Sequence, residues 1–382
     1  MNDHDLHAHL IGQQGSRAAL NTPVLVLELD ALHRNIAKLA ATTRERGVAL
    51  RPHAKTHKSV DIARLQIAAG AVGICCAKIG EAEVLADGGI EGLLITSPVT
   101  SPMAIERLAM LAARAPTTMA TVDDPQVASR IDAALAANNA TLDVLVDIDP
   151  EIHRTGVASA EAAVILAQLI GGLPHLRFRG VQFYCGAQQH IAGYADRRAA
   201  IIQRTDYLKS VIGALADAGL APEIVTGSGT GTHLIDIELG VLTECQAGSY
   251  VFMDKQYLDC DLAGQGSGEL PFETALAVDA RVVSANHDGL VTIDAGYKSL
   301  STDGGVAVVR HGPAEGAGFA FMGDEHAALS QPGIGEKLRP GDVVSLIVPH
   351  CDPTVNLYDY YHVVHGDTLV ALWLVSARGR AR

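Results

Sequence analysis

Val48-Ala-Leu-Arg-Pro52 is a short apolar run that ends in a dense polar block, Arg51-Pro-His-Ala-Lys-Thr-His-Lys58. A buried strand followed at once by chemistry-bearing side chains is one unit of a recurring pattern. Further runs of the same kind are Val72–Cys76, Leu93–Thr96, Thr118–Val122, Val144–Ile148, Phe178–Tyr184, Ile224–Thr226 and Cys245–Tyr250. Roughly 15 to 40 residues separate neighbours, room for a helix and two loops each time. Between the runs the periodicity is helical. Ile201, Leu208, Ile212 and Leu215 share one face of a helix expected from about Asp196 to a glycine stop at Gly219. Eight short buried strands alternating with helices are the pattern of an α/β chain folded as a (β/α)8 TIM-type barrel. A doubly wound sheet is the competing reading.

After about Gly264 the pattern changes. Leu276–Val283, Gly289–Asp294, Val306–Val309, Val343–Val348 and Leu369–Val375 are short β-rich runs, with turn signals at Asp288-Gly289, Pro332-Gly333, Pro340-Gly341 and Gly366-Asp367. These predict a smaller antiparallel β domain after the barrel. The expected division is a loose N-terminal tail over 1–21, a barrel over 22–265 and the β domain over 266–382. The run Pro23-Val-Leu-Val-Leu-Glu28 could join either domain.

Composition narrows the function. Hydrophobic residues make up 48% and charged residues 19% of the 382, which suits a large core. The net charge of −14 lacks the basic footprint that nucleic acid or an anionic membrane needs. No apolar stretch is long enough for a membrane helix. The six cysteines contain no C-x-x-C pair and lie in or beside apolar runs, which reads as reduced thiols in a cytoplasmic protein.

Four places could carry chemistry. If the first strand continued through the polar block, Arg51, His53, Lys55 and His57 would alternate onto one face. A lysine among such cations would have a depressed pKa and could form a Schiff base. The second place is Val225-Thr-Gly-Ser-Gly-Thr-Gly-Thr232 with Ala247-Gly-Ser-Tyr250. It follows late strands, where barrels bind phosphate, and it offers glycine N–H groups and hydroxyls. Tight turns also need glycine. Third is Pro349-His-Cys-Asp-Pro353. In extended chain His350 and Asp352 point one way and Cys351 the other, a pair able to hold Mn²⁺, Mg²⁺ or a catalytic Zn²⁺. A plain His-Asp turn is the alternative. Fourth is Phe183-Tyr-Cys-Gly-Ala-Gln-Gln-His190. Tyr184 could face a ligand there and His190 could act as a base, or simply be solvated. Arg154 follows the fifth run in the same way, with a carboxylate-paired structural arginine as its alternative. An amine-reactive lysine, an anion cradle and a metal pair together suit pyridoxal 5′-phosphate.

At this point the chain resembles the D-threonine aldolase family of alanine-racemase-like, fold type III pyridoxal-phosphate enzymes. The resemblance spans about residues 22–380. It rests on Thr22-Pro-Val-Leu-Val, the block at 51–58, Gly73-Ile-Cys-Cys-Ala-Lys78, Gly227-Ser-Gly-Thr-Gly-Thr232, Glu244-Cys-Gln-Ala-Gly-Ser-Tyr-Val-Phe-Met-Asp254, Asp324-Glu-His326 and His350-Cys-Asp-Pro-Thr-Val-Asn-Leu-Tyr-Asp359. It implies Lys55 as the Schiff-base lysine and His190 as the base. It implies Thr230, Gly231, Thr232, Gly248, Ser249 and Tyr250 around the phosphate, with Arg154 and Tyr184 near the pyridine ring. His350 and Asp352 would hold the metal. The implied reaction is retro-aldol cleavage of a D-3-hydroxy-amino acid to glycine and an aldehyde, in a homodimer. A 3-hydroxyaspartate aldolase, a dehydratase, a racemase using a β-domain tyrosine such as Tyr297, and a cofactor carrier are the rivals. The dehydratase branch usually has a His-x-Cys pair where this chain has His350-Cys-Asp352. Ala327 and Ser228 stand where the family often has glycine.

Overall fold

Pro52 has no N–H to give a strand ladder, so the first barrel strand stops there and the polar block begins. Its carbonyl still accepts the Cys75 N–H at 2.9 Å. The computed structural model describes residues 2–264, 270–310 and 312–382. The expected boundary between 265 and 266 lies outside them. After β1 (Val24–Glu28), the chain forms β2 (Ala49–Leu50), β3 (Cys75–Cys76), β4 (Leu94–Ile95), β5 (Met119–Val122), β6 (Leu142–Asp147), β7 (Leu176–Phe183), β8 (Ile224–Gly227) and β9 (Glu244–Cys245). From β2 onward these make one parallel sheet in the order β2-β9-β8-β7-β6-β5-β4-β3. A single parallel bridge, His53 to Cys75, joins the two ends. The α/β barrel reading therefore stands, and each of the eight apolar runs overlaps one of these strands. The helix expected near Asp196 runs Tyr194–Asp217, with Ile201, Leu208 and Leu215 buried.

The second sheet contains β10 (Leu276–His287), β11 (Leu290–Ile293), β12 (Val308–Val309), β13 (Gly318–Phe321), β14 (Ala327–Ser330), β15 (Val343–Ile347), β16 (Tyr360–His365) and β17 (Thr368–Leu374). Its main path is β13-β14-β11-β10-β1-β16-β17, with β15 on β10 and β12 on β15. β1 lies in this sheet, antiparallel to β10 and parallel to β16. The sheet is thus mixed at one seam, where an antiparallel domain was expected. The reason is topological. The chain leaves β1 to build the whole barrel before returning, and a parallel pair needs a long crossover.

The N-terminal segment is packed, not loose. Asn2 caps the helix Asp3–His7 through a bond to the Asp5 N–H. Leu10 and Leu20 share a small core with Val26, Val364 and Leu369. His7 is buried, and its Nδ1 lies 2.8 Å from Nε2 of His362 on β16. The barrel and the sheet also share a core. One cluster joins Leu50, Ile62 and Cys245 to Leu276, Val291 and Val363. That shared core turns the loop after β15 toward the open end of the barrel.

Candidate active site

The carboxyl ends of the barrel strands surround a cavity of about 480 Å³ lined by His53, Lys55, Lys78, Arg154, Tyr184, Thr230, Gly248, Ser249 and Tyr257, among others. Lys55 reaches across it to Asp352, and its ammonium touches Oδ1 of that carboxylate. Asp352 also accepts from Thr56 Oγ1 at 3.1 Å. The second Asp352 oxygen lies 3.8 Å from His350 Nε2. His350 Nδ1 in turn lies 2.7 Å from Asp303 Oδ2. The amine and the His-Asp couple, nearly 300 residues apart (|i−j| = 297), are therefore adjacent.

This contact corrects the expectation of a depressed lysine pKa. Burial does push Lys55 down, but Asp352 and then Tyr184 outweigh it and hold the ammonium above its ordinary value. The neighbouring imidazoles supply no positive charge to oppose it. Burial drives His53 well below the usual histidine range and His57 to about 3. Burial likewise opposes the charge of Asp352, but Lys55 and then His350 hold that carboxyl below the ordinary range.

The imagined one-face alternation also fails. β2 ends at Leu50, and the block is mostly turn. Arg51 points toward the barrel's far end. There it pairs with Glu244 through two bonds of 2.8 Å. His57 is fully buried away from the cavity, its Nδ1 accepting from the Ser59 N–H. Of the four, His53 and Lys55 line the site, together with Thr56. The Lys55 N–H donates to His53 Nδ1 at 3.2 Å, and His53 Nε2 lies 3.0 Å from Thr96 Oγ1.

The Gly-rich loop splits into two layers. Gly229 and Thr230 line the cavity with Gly248 and Ser249. Thr232 does not; its hydroxyl donates to Asp236 at 2.6 Å and accepts from Gln189. The Gly231 N–H donates to Gln189 Oε1. The Tyr250 ring is buried against Phe272, with its hydroxyl accepting from Gln66. Gly248, Ser249 and Tyr250 nonetheless open a short 3-10 turn, whose first N–H groups lack intrahelical partners. Ser228 Oγ and Thr230 Oγ1 are buried without a hydrogen-bond partner among the described residues. A Cβ on Gly248 would come within 2.9 Å of Thr56 Oγ1 and 3.0 Å of the His53 carbonyl. An anionic phosphate fits this cradle, because it supplies the acceptor that Thr230 lacks.

Arg154 has no ion pair among the described residues; its guanidinium carbon lies 5.5 Å from the Tyr184 ring centroid. His190 is exposed and does not line the cavity itself; its ring lies 4.5 Å from that of the lining residue Tyr257, tilted by 37°. Partial burial, followed by His350 and Lys55, lowers its pKa. It is therefore neutral and able to accept a proton at pH 7.

The segment expected to hold a metal has a different local shape. Cys351–Val355 is a helical turn with His350 as its N-cap, not extended chain. Cys351 faces inward, its N–H donating to Asp254. No group of three or more His, Cys, Asp or Glu placed to hold a metal ion is present among the described residues. Two bonds of about 2.1 Å set at a tetrahedral angle span about 3.4 Å. The 3.8 Å His350–Asp352 separation closes on a cation with a small side-chain rotation. One histidine and one carboxylate leave the remaining positions to water and substrate, as a catalytic site requires.

Sequence reasoning missed Asp303, Tyr257, Gln182 and Gln246. Gln246 lines the cavity and donates to Thr226 Oγ1 at 3.0 Å and to Gln182 Oε1 at 3.3 Å. Gln182 donates to Asp147 at 2.9 Å. Burial pushes that carboxyl up to about 6. Two glutamines inside otherwise apolar runs were the available signal, because a polar side chain inside a buried strand needs partners. Asp303 lies in a turn far from any motif and gave none.

A parallel barrel with a lysine at its carboxyl-end cavity, a hydroxyl-rich anion cradle and an appended β domain defines the alanine-racemase-like, fold type III class. The alanine racemase, N-terminal domain profile matches residues 27–256, and a serine dehydratase domain profile matches 275–364. The 3-hydroxy-D-aspartate aldolase of Paracoccus denitrificans (strain Pd 1222) is 38% identical over 364 residues, covering 94% of this chain and 93% of that one. The D-threonine aldolase of an Arthrobacter species is 36% identical over 366 residues, covering 96% and 94%. The crystal structure of D-threonine aldolase from Filomicrobium marinum superposes with a TM-score of 0.90 at 38% identity, covering 96% and 97%. The chain belongs to the D-threonine aldolase family.

Proposed function

We propose that this chain is a pyridoxal-phosphate- and divalent-metal-dependent carbon–carbon lyase that cleaves D-3-hydroxy-amino acids to glycine and an aldehyde. The observation that carries the reading is the contact of Lys55 with Asp352, itself 3.8 Å from His350. It brings Lys55, which lines the cavity, against the side-chain couple that we assign to the cation. Bound there, the cofactor supplies an electron sink for the breaking Cα–Cβ bond, and the cation lowers the pKa of the substrate's β-hydroxyl.

The protein's own groups do the rest. Lys55 holds the cofactor aldehyde. Thr230, Ser249 and the N–H groups of Gly248 and Tyr250 surround the phosphate, and Gly231 and Thr232 back the loop, their N–H groups held by Gln189 Oε1 and the Gly229 carbonyl. Arg154 and Tyr184 flank the ring. His350 and Asp352 hold the metal, which we assign as Mn²⁺, Mg²⁺ or Zn²⁺. Neutral His190 takes the β-hydroxyl proton, a contribution of about 10²–10⁴-fold. The tilted contact with Tyr257 orients its ring. Six free, buried thiols support a reducing, cytoplasmic setting. The exposed Tyr297 ring, stacked on Phe321 at 4.5 Å, supports a homodimer built on that face.

One observation favours a dicarboxylate substrate such as 3-hydroxyaspartate. Lys78 lines the cavity, is exposed there, and has no ion pair among the described residues. The deciding experiment is aldehyde release from D-threonine, D-phenylserine and D-3-hydroxyaspartate, with and without a chelator. Chelator-sensitive release of aldehyde and glycine is expected. Formation of a 2-oxo acid and ammonia, or of the L-amino acid, would replace the reading with dehydration or racemisation.

A further inference from the structure

Gln189 sits directly before the base His190 and is almost completely buried, at 1% exposure. Its side chain makes three bonds. Nε2 donates to the Cys185 carbonyl at 3.1 Å and to Thr232 Oγ1 at 3.0 Å. Oε1 accepts the Gly231 N–H at 3.0 Å. The first bond closes the loop after β7 on itself. The other two grip the loop after β8. Thr232 Oγ1 passes the tie onward, accepting from the Gly229 N–H at 3.3 Å and donating to Asp236 at 2.6 Å.

Packing makes the join tight. A Cβ on Gly231 would fall 1.9 Å from the Gln189 carbonyl oxygen, and one on Gly229 would fall 2.4 Å from its Oε1. The glycines therefore do more than bare N–H groups to an anion. They let the β8 loop lie flush on Gln189. One amide side chain thus holds both the loop that carries Thr230 and the loop that carries Tyr184 and His190.

We propose that Gln189 is a positioning residue that couples the phosphate cradle to the catalytic base. Phosphate in the cradle fixes Gly229–Thr232. Gln189 transmits that order to the β7 loop, so His190 takes its working position only when the cradle is filled. This rests on the aldolase reading for the role of His190, but not for the cradle.

The test uses Gln189→Leu, which keeps approximate volume and loses all three bonds, beside the unaltered full-length protein. Three readouts are taken: stabilisation of the apoprotein by inorganic phosphate, binding of pyridoxal 5′-phosphate against pyridoxal, and kcat and KM at saturating cofactor. The variant is expected to lose phosphate stabilisation and to bind pyridoxal phosphate at least tenfold more weakly, with pyridoxal binding unchanged. Its kcat should fall at least tenfold, with KM within about twofold. Equal losses for pyridoxal phosphate and pyridoxal, or an unchanged kcat at saturating cofactor, would overturn the coupling. Should the variant not fold, Thr232→Val cuts the same tie from the other loop without changing shape and is read in the same way. If the unaltered protein shows phosphate-specific binding but no aldehyde release, the aldolase reading fails while the cradle part of the proposal is still decided by the first two readouts.

Discussion

At the residue scale, the Lys55 motif was legible because its residue types crowd one strand end. Its electrostatics were not, because Asp352, which sets them, is brought in by the second domain. Local sequence gave the amine as one cation among others. Tertiary folding buried two imidazoles in neutral form and delivered a carboxylate. Lys55→Ala removes the amine, so the visible absorbance of bound cofactor and all aldehyde release should vanish. A fully active Lys55→Ala protein would remove the basis of the proposed function. Asp303 carries a second expectation. Its 2.7 Å contact to His350 Nδ1 orients Nε2 toward Asp352, as the outer carboxylate would in the proposed carboxylate–histidine–metal relay. Asp303→Ala should weaken the activating cation by about 10–100-fold and recover most activity when the cation is raised. Cation titrations that superpose for the two proteins would show that Asp303 plays no part in holding the metal.

At the element scale, buried parallel strands were readable as apolar runs, but three strands of the β domain were not. β13 and β14 are four residues each, with Gly318 and Ser330 at their paired ends. Histidines interrupt β16 at 362 and 365. The run Cys245–Tyr250 was read as strand throughout, yet it bends after Cys245 into the 3-10 turn that presents the cradle. His362 shows what β16 gains from its interruption. Its Nδ1 is 3.3 Å from the Leu25 carbonyl, and its Nε2 is 2.8 Å from His7 Nδ1. The Asn21 N–H donates to His7 Nε2. These partners require two neutral rings, each with its proton on Nδ1. Burial, then the repulsion the two rings would exert if both were protonated, lowers His362 to about 4. An unfolded histidine titrates near 6.5, so between about pH 4 and 6.5 the unfolded chain binds the extra proton. This contribution to stability is present at pH 7 and is lost as pH falls toward 4. His57 and His233 act in the same direction, whereas buried Asp147 and Asp236, each raised to about 6, act against it. The His362 share is isolated by comparing melting temperatures at pH 7 and pH 4.5 for the protein and His362→Gln. The gap between the two pH values should be smaller in the variant; an equal gap would show that the pair carries no proton linkage.

At the scale of the whole molecule, two domains were legible from the switch in periodicity, but their union was not. β1 left its allegiance open because the four apolar residues Val24–Leu27 suit either sheet. The structure inserts it between β10 and β16, with Val26 opposite both Ala277 and His362. The chain therefore enters the second domain, builds the barrel and returns, and the cluster containing Leu27, Leu50, Cys245, Leu276 and Val363 belongs to both parts. A core shared in this way predicts joint unfolding, because neither part keeps its buried surface when the other is lost. Two probes sit on opposite sides of the join. Trp373, the single tryptophan, lies on β17, and the cofactor lysine lies in the barrel. In urea, Trp373 fluorescence and the visible absorbance of bound cofactor should change over one coincident transition. Leu27→Ala, in a side chain with no exposed surface, should move both midpoints down together by an amount equivalent to about 2–5 kcal/mol. Two separated transitions, with only the tryptophan signal shifted by Leu27→Ala, would mean that the barrel stands alone. The meeting of Lys55 with Asp352 would then be a docking event between independent domains, not a built-in feature of the fold.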